Sequence, residues 1–176
     1  MNRLVLIITS LLFLLVSCQD KEAKVAIEKY RAQAMLEEQN INLVQTLFEE
    51  INNNRNLKVY DELCDPDYRF YSPSNNPDPL SLEEVKSHAE MILKAFPDVN
   101  YTVKEILADR DHVIVWNMFN GTHQAEYQGI PASGNKIQVS SILIFRIQNG
   151  KIIEEREEAD MLGALLQMGT KLQMTK

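Results

Sequence analysis

Hydrophobic positions along the chain change their period at sharp boundaries, and the boundaries mark out the elements. Leu4 to Ser17 is a run of fourteen uncharged, mostly apolar residues. Residues 19–40 are polar and charged, with weak apolar spacing at Val25, Ile27, Tyr30 and Ala34. From Ile41 the spacing sharpens. Leu43, Val44, Leu47, Phe48 and Ile51 fall at the intervals that place side chains on one face of a helix. Asn52-Asn53-Asn54-Arg55-Asn56 stops that helix. Leu57 to Leu63 predicts a second, short helix ended by Asp65-Pro66, and Tyr68 to Tyr71 a short aromatic strand. Ser81-Leu82-Glu83-Glu84 fits a capping box, in which the serine hydroxyl takes an amide proton while Glu84 reaches back. The helix it opens should run to about Phe96 and stop at Pro97-Asp98.

Beyond Pro97 the period falls to two. Val99, Tyr101 and Val103 alternate with polar residues, Asp109-Arg110-Asp111 turns the chain, and His112 to Phe119 forms the next strand. The segment Ala125–Gln128 is read as an extension of it. Pro131 to Asn135 is a loop and Ile137 to Ile147 a long strand. Gln148-Asn149-Gly150-Lys151 supplies a hairpin turn before a last strand, Ile152 to Ala159. Leu162, Leu165, Leu166 and Met168 suggest a closing helix. Helices first, then antiparallel strands on tight turns, indicate an α+β domain. Helices packed on one face of a curved sheet leave a pocket between them.

Composition changes this picture in two ways. The first concerns location. Arg3, the apolar run and the ending Leu15-Val16-Ser17-Cys18 describe an export signal. The run is shorter than the ~20 residues needed to span hydrocarbon as a helix. Its ending resembles a bacterial lipobox, which implies a lipid on Cys18 after cleavage. The chain then divides into a lipoprotein signal peptide at 1–17, a polar tether turning helical at 18–39, a domain at 40–170 and a tail at 171–176. The mature protein sits in the bacterial cell envelope, anchored to a membrane outside the cytosol. The second concerns partners. The sequence has 18 basic and 25 acidic residues, and no cluster of Lys and Arg, so nucleic acid is not a partner. With Cys18 lipidated, Cys64 has no disulfide partner and reads as a small buried hydrophobe.

From about Asn40 to Gly169 the chain resembles the SnoaL-like polyketide cyclase family, of the nuclear-transport-factor-2-like fold. The resemblance is carried by Leu47-Phe48-Glu49-Glu50-Ile51, Tyr60-Asp61-Glu62-Leu63, Ala95-Phe96-Pro97-Asp98 and Gly121-Thr122-His123. Gly129-Ile130-Pro131-Ala132-Ser133-Gly134, Ile144-Phe145-Arg146-Ile147, Gly150-Lys151-Ile152-Ile153-Glu154 and the stretch from Asp160 to Gly169 complete it. It implies a cone-shaped α+β barrel with an apolar cavity, often dimeric through its sheet. It also implies ring closure of a polyketide ester by an intramolecular aldol reaction, without metal or cofactor. Asp160 matches the family's acid/base aspartate. Tyr71 stands where the family often has a histidine, and Arg156 where many members have a tryptophan.

The candidate chemistry follows. An aldol closure needs a base for the proton alpha to a carbonyl and a donor for the oxygen that gains charge. Residues two apart on a strand share a face, so Glu154, Arg156, Glu158 and Asp160 share one. If that face lines the cavity, Glu158 would raise the pKa of Asp160 and Arg156 would lower it. His123 is a candidate proton carrier, while His112 reads as a turn residue and His88 as a helix-surface residue. Tyr71, Trp116 and Tyr101 are candidates for ligand contact. The histidines show no zinc spacing, and no metal site is expected. Three functions fit: a lipid-anchored binder of a small apolar or carbonyl-containing molecule, a cofactor-free acid/base cyclase or isomerase using Asp160, and an envelope protein-interaction module. Both small-molecule readings rest on Asp160 facing an open hollow.

Overall fold

A computed structural model describes the backbone of residues 2–171 and the side chains of residues 21–52 and 54–171. The signal-peptide side chains, Cys18 and most of the tail expected at 171–176 lie outside what it describes. The chain forms two compact units, residues 1–36 and 37–176. The first unit is helical throughout its described residues and exposes Val25, Ile27, Tyr30 and Met35. Among the described residues no helix is long and apolar enough to cross a membrane.

The second unit holds the remaining elements. Helix α1 (Asn2–Glu49) ends in a π-helical turn over Glu50–Asn54, at the asparagine run that the sequence marks as a stop. Short α2 (Val59–Leu63), strand β1 (Cys64–Tyr71), the two-residue β2 (Leu80–Ser81) and α3 (Leu82–Ala95) follow. Then come β3 (Asn100–Asp109), β4 (His112–Thr122), β5 (Lys136–Gln148), β6 (Lys151–Ala159) and α4 (Met161–Gln167). This is the α+β, mostly antiparallel curved sheet of the expected cone-shaped fold. The six strands lie in the order β2-β1-β6-β5-β4-β3. One pairing in this mainly antiparallel sheet, β1 with β6, is parallel. One departure from the sequence reading is Ala125–Gln128, which forms no strand extension; the chain leaves the sheet after Thr122, and Tyr127 makes only an isolated bridge to Ile130.

Local chemistry explains the boundaries. Ser81 caps α3 by accepting from the Glu84 amide, and Glu84 accepts in return from the Ser81 amide at 2.8 Å. The β5–β6 hairpin turns on Asn149 (φ 53°) and Gly150 (φ 73°), two successive left-handed residues of the kind that match strand twist. Register shifts interrupt β3 after Val103 and the β5–β6 ladder between Arg146 and Ile147. Each inserts a residue into one strand, bends it and reverses the parity of the residues that follow. The curvature gives the sheet a concave face, over which the Leu43–Phe48 end of α1, α2, α3 and α4 pack.

The core forms two clusters. One joins Val44 and Leu47 of α1, Val59 and Tyr60 of α2, Cys64 and Tyr68 of β1, and Val113, Val115 and Phe145 of the sheet. The other centres on Phe96, Val99, Tyr127, Ile137 and Met168. Edge-to-face rings link the two clusters, running from Phe145 through Phe48, Tyr101 and Phe119 to Phe96, with centroid separations of 6.2, 6.4, 5.5 and 5.1 Å.

Candidate functional site

Between α3 and the concave face of the sheet lies a cavity of about 840 Å³. Its apolar wall comes from Phe70 of β1, Met91 and Ile92 of α3, Phe119 of β4 and Ile137 and Val139 of β5. An inner chamber of about 110 Å³ shares Phe70, Tyr101, His88, Asn117 and Glu157 with it and reaches down to Glu155.

Strand β6 decides which charges this space meets. Ile152 is fully buried, and strict alternation from it would turn Glu154, Arg156, Glu158 and Asp160 inward. The register shift at Arg146/Ile147 intervenes, with Arg146 paired to Glu154 and Ile147 to Ile152. The extra residue, Ile153, reverses the parity, so Glu155, Glu157 and Ala159 face the cavity instead. The expectation that Asp160 faces the hollow is therefore corrected. Asp160 is exposed, and its Oδ1 accepts from the Gly163 amide at 2.8 Å as the N-cap of α4. A Cβ at Gly163 would stand 2.1 Å from the Asp160 carboxylate, so a larger residue there would make that carboxylate shift.

Glu157 is the carboxyl that lines both chambers. Its Oε2 accepts from the Ser72 hydroxyl at 3.1 Å, and Ser141 of β5 also bonds it. Burial pushes its pKa up, opposed by these two hydrogen bonds. Below it, Glu155 accepts a 2.5 Å hydrogen bond from the Tyr68 hydroxyl. Burial, with the charge of Glu157 adding to it, pushes Glu155 up to about 8. Across the cavity His88 Nε2 lies 3.0 Å from the Tyr127 hydroxyl, and burial lowers the histidine's pKa. The Tyr127 hydroxyl itself is pushed up to about 12, again by burial first. Asn117, 2% exposed, completes the polar set.

The other predicted site residues are spread over the molecule. Tyr101 lines both chambers. Glu158 is exposed at the cavity mouth, where its Oε1 accepts from the Ser74 amide at 3.1 Å. Arg156 points to the opposite face, over the ring of Tyr71 at 4.1 Å, with its Nε donating to Glu154 at 2.7 Å. Arg156 and Tyr71 thus satisfy each other outside the cavity, and neither lines it. Trp116 is 43% exposed on the convex face, donating to the Ser140 hydroxyl at 3.0 Å; alternation along β4 sends Asn117 and Phe119 inward and Trp116 outward. His123 is fully buried, stacked on Phe96 at 5.3 Å with Nδ1 3.2 Å from the Ser133 hydroxyl, and it lines neither chamber. His88, expected on a helix surface, lines both. The buried Cys64 has its thiol pushed up by burial. Among the described residues no group of His, Cys, Asp and Glu is placed to hold a metal ion.

The arrangement offers an apolar enclosure with a buried carboxyl at its wall, its pKa raised by that burial. Sequence reasoning missed Glu157, Glu155, His88 and Asn117. A polar residue amid the apolar inward positions Val113, Val115 and Phe119 was the available signal for Asn117.

Comparison with known proteins agrees with the geometry. The model of the SnoaL-like polyketide cyclase family matches residues 42–168. A candidate SnoaL-like polyketide cyclase from Jannaschia sp. CCS1 superposes with a TM-score of 0.68 at 24% identity, covering 78% of this chain and 96% of that one. AclR from Streptomyces galilaeus, described as a candidate hydroxylase, gives 0.68 at 26% identity, covering 78% and 89%. IdmH from Streptomyces antibioticus, a candidate polyketide cyclase, gives 0.64 at 24% identity, covering 74% and 99%. No curated protein matches.

Proposed function

The chain belongs to the SnoaL-like polyketide cyclase family, and from that premise we propose that it binds a small apolar or carbonyl-containing molecule in its concave cavity, outside the cytosol, on a lipid anchor at Cys18. The observation that supports binding is the volume of about 840 Å³ walled by Phe70, Ile92, Phe119, Ile137 and Val139, a size and polarity suited to a compact ring system. Support for the location is the sequence alone: the apolar run and its Leu-Val-Ser-Cys ending.

Binding is tested with N-phenyl-1-naphthylamine, a neutral apolar fluorophore. The full chain should bind it saturably at one site. Ala159→Trp, which projects a ring into the cavity, should weaken it by at least about tenfold while the circular dichroism spectrum is kept. Equal affinity in a folded Ala159→Trp would place the probe elsewhere and remove this reading. Anchoring is tested by expressing Cys18→Ser in a bacterium fed labelled palmitate. Label in the native chain and none in the variant is the expected result, and equal labelling contradicts it.

A second reading is favoured by one observation, the buried carboxyl of Glu157 at the cavity wall. A carboxyl whose proton is held more firmly than usual can take and return a proton alpha to a bound carbonyl. The cyclase or isomerase alternative therefore passes from Asp160 to Glu157.

The convex face supports a homodimer. Leu107, Ile114, Trp116, Ile142 and Ile144 are all exposed there. Leu107 pairs with Ile114, Ile114 with Ile144, and Trp116 with Ile142, so they form one continuous apolar patch. Sedimentation should show a dimer that Trp116→Lys converts to a monomer of unchanged fold. A native chain that sediments as a monomer at tens of micromolar would exclude this interface.

A further inference from the structure

We propose that the cavity's natural occupant is an apolar molecule carrying a basic amine, held as its organic cation between Asn117 and Glu157. The proposal rests on the reading of the cavity as a ligand site and narrows what enters it. Two independent observations carry it.

The first is the charge of the lining. Among the described residues that line the cavity, Glu83, Glu84, Glu157 and Glu158 are acidic, and none is lysine or arginine. His88, the one other ionisable base in the wall, is kept neutral by burial. A carboxylate, phosphate or sulfate ligand would lose its water beside Glu157 with no cation to replace it. Desolvating a charge without a counter-charge is strongly unfavourable. An anionic occupant is therefore excluded, while a cation meets a complementary field.

The second is an unpaired acceptor. The side-chain oxygen of Asn117 is buried and has no hydrogen-bond partner, although the residue lines both chambers. A buried carbonyl left without a donor is costly, and a ligand N–H or O–H would relieve it. Asn117 is paired with Ser141 on the next strand, and Ser141 bonds Glu157 on the strand after that. The orphaned oxygen and the carboxyl thus open into one inner part of the cavity, and both call for a donor. A hydroxyl can satisfy Asn117 but leaves Glu157 without a counter-charge. An ammonium group has enough protons for both, and its charge is matched. The rings of Tyr101, Phe119 and Tyr127 in the same wall favour a cation over an anion as well.

The test uses three ligands on one skeleton: 9-(aminomethyl)anthracene, 9-anthracenemethanol and 9-anthracenecarboxylate. Each is titrated against the full chain at pH 7 and followed by anthracene fluorescence. The expected result is that the amine binds at least about tenfold more tightly than the alcohol and the carboxylate shows no saturable binding. In Glu157→Gln the advantage of amine over alcohol should shrink to about threefold or less. Carboxylate binding as tight as the amine overturns the proposal and leaves the cavity a binding site. An amine advantage that persists in Glu157→Gln overturns it too, since the acidic surface would then be its source. Failure of all three ligands to bind removes the cavity reading along with the proposal.

Discussion

Replacing Glu155 with glutamine raises the unfolding midpoint at pH 8 and flattens the pH dependence of stability. In the folded protein burial holds the Glu155 proton up to about pH 8, against an ordinary value of 4.5. Around the carboxyl stand Tyr68, which bonds it, and Tyr60, Cys64 and Glu157, none of them a cation. In the unfolded chain the group gives up its proton near 4.5. Between these two values the folded state binds more protons than the unfolded state, so stability falls as pH rises. The contribution is whole below 4.5 and gone above about 8. The full difference amounts to a few kcal/mol, the order of a several-unit shift. Glutamine keeps an oxygen to accept from the Tyr68 hydroxyl and has no proton to lose. Glu155→Gln should therefore unfold about 5–10 °C higher than the native chain at pH 8 and close to it at pH 5. Glu157, also raised by burial, leaves a slope of the same sign. Thermal melts of both chains across pH 5 to 8 provide the measurement. A Glu155→Gln chain less stable than the native one at pH 8, or with the same slope, would contradict the account.

The second large effect separates two carboxylates three residues apart. Any turnover of a carbonyl compound in this cavity should fall by about 10²–10⁴ in Glu157→Gln, the loss that follows removal of a positioned acid or base. It should stay within about twofold in Asp160→Asn, because Asp160 bonds the Gly163 amide and asparagine caps a helix almost as well. The reaction is followed as deuterium exchange alpha to the carbonyl of an apolar cyclic ketone. The difference does not come from stability. Both substitutions keep side-chain size, and the Asp160→Asn cap changes stability by only a few tenths of a kcal/mol. Loss of exchange in Asp160→Asn with exchange kept in Glu157→Gln would restore Asp160 to the role that the family resemblance implies.

How far the sequence reaches is clear from these same residues. The capping box at Ser81, the hairpin at Asn149-Gly150 and the switch from helical to alternating spacing after Pro97 are local features, and the elements follow them closely. The curved α+β sheet follows from their order. The site failed on one residue of parity. Ile152 and Ile153 are both apolar, so the sequence gives no sign of which of the two faces inward or that a residue is inserted there. The insertion is specified by pairing with β5, a tertiary fact. Everything beyond it on β6 changes face, and Glu157 takes the place expected of Glu158 and Asp160. His88 illustrates a different limit. Its helical position is legible, but its burial depends on Tyr127, thirty-nine residues away in a loop that carries no regular period. Trp116 follows the opposite pattern, a large apolar residue turned to the surface because its neighbours on the convex face are apolar too.

The central claim is that Glu157 faces the cavity and Asp160 faces water. It is tested most directly by following the side-chain carboxyl carbons of both residues by NMR while N-phenyl-1-naphthylamine is added. The account predicts that the Glu157 resonance titrates above the ordinary carboxylate range and moves as the probe saturates, while the Asp160 resonance stays still. An Asp160 resonance that moves with the probe, beside a Glu157 that titrates like a solvent-exposed carboxylate and ignores it, would contradict the account.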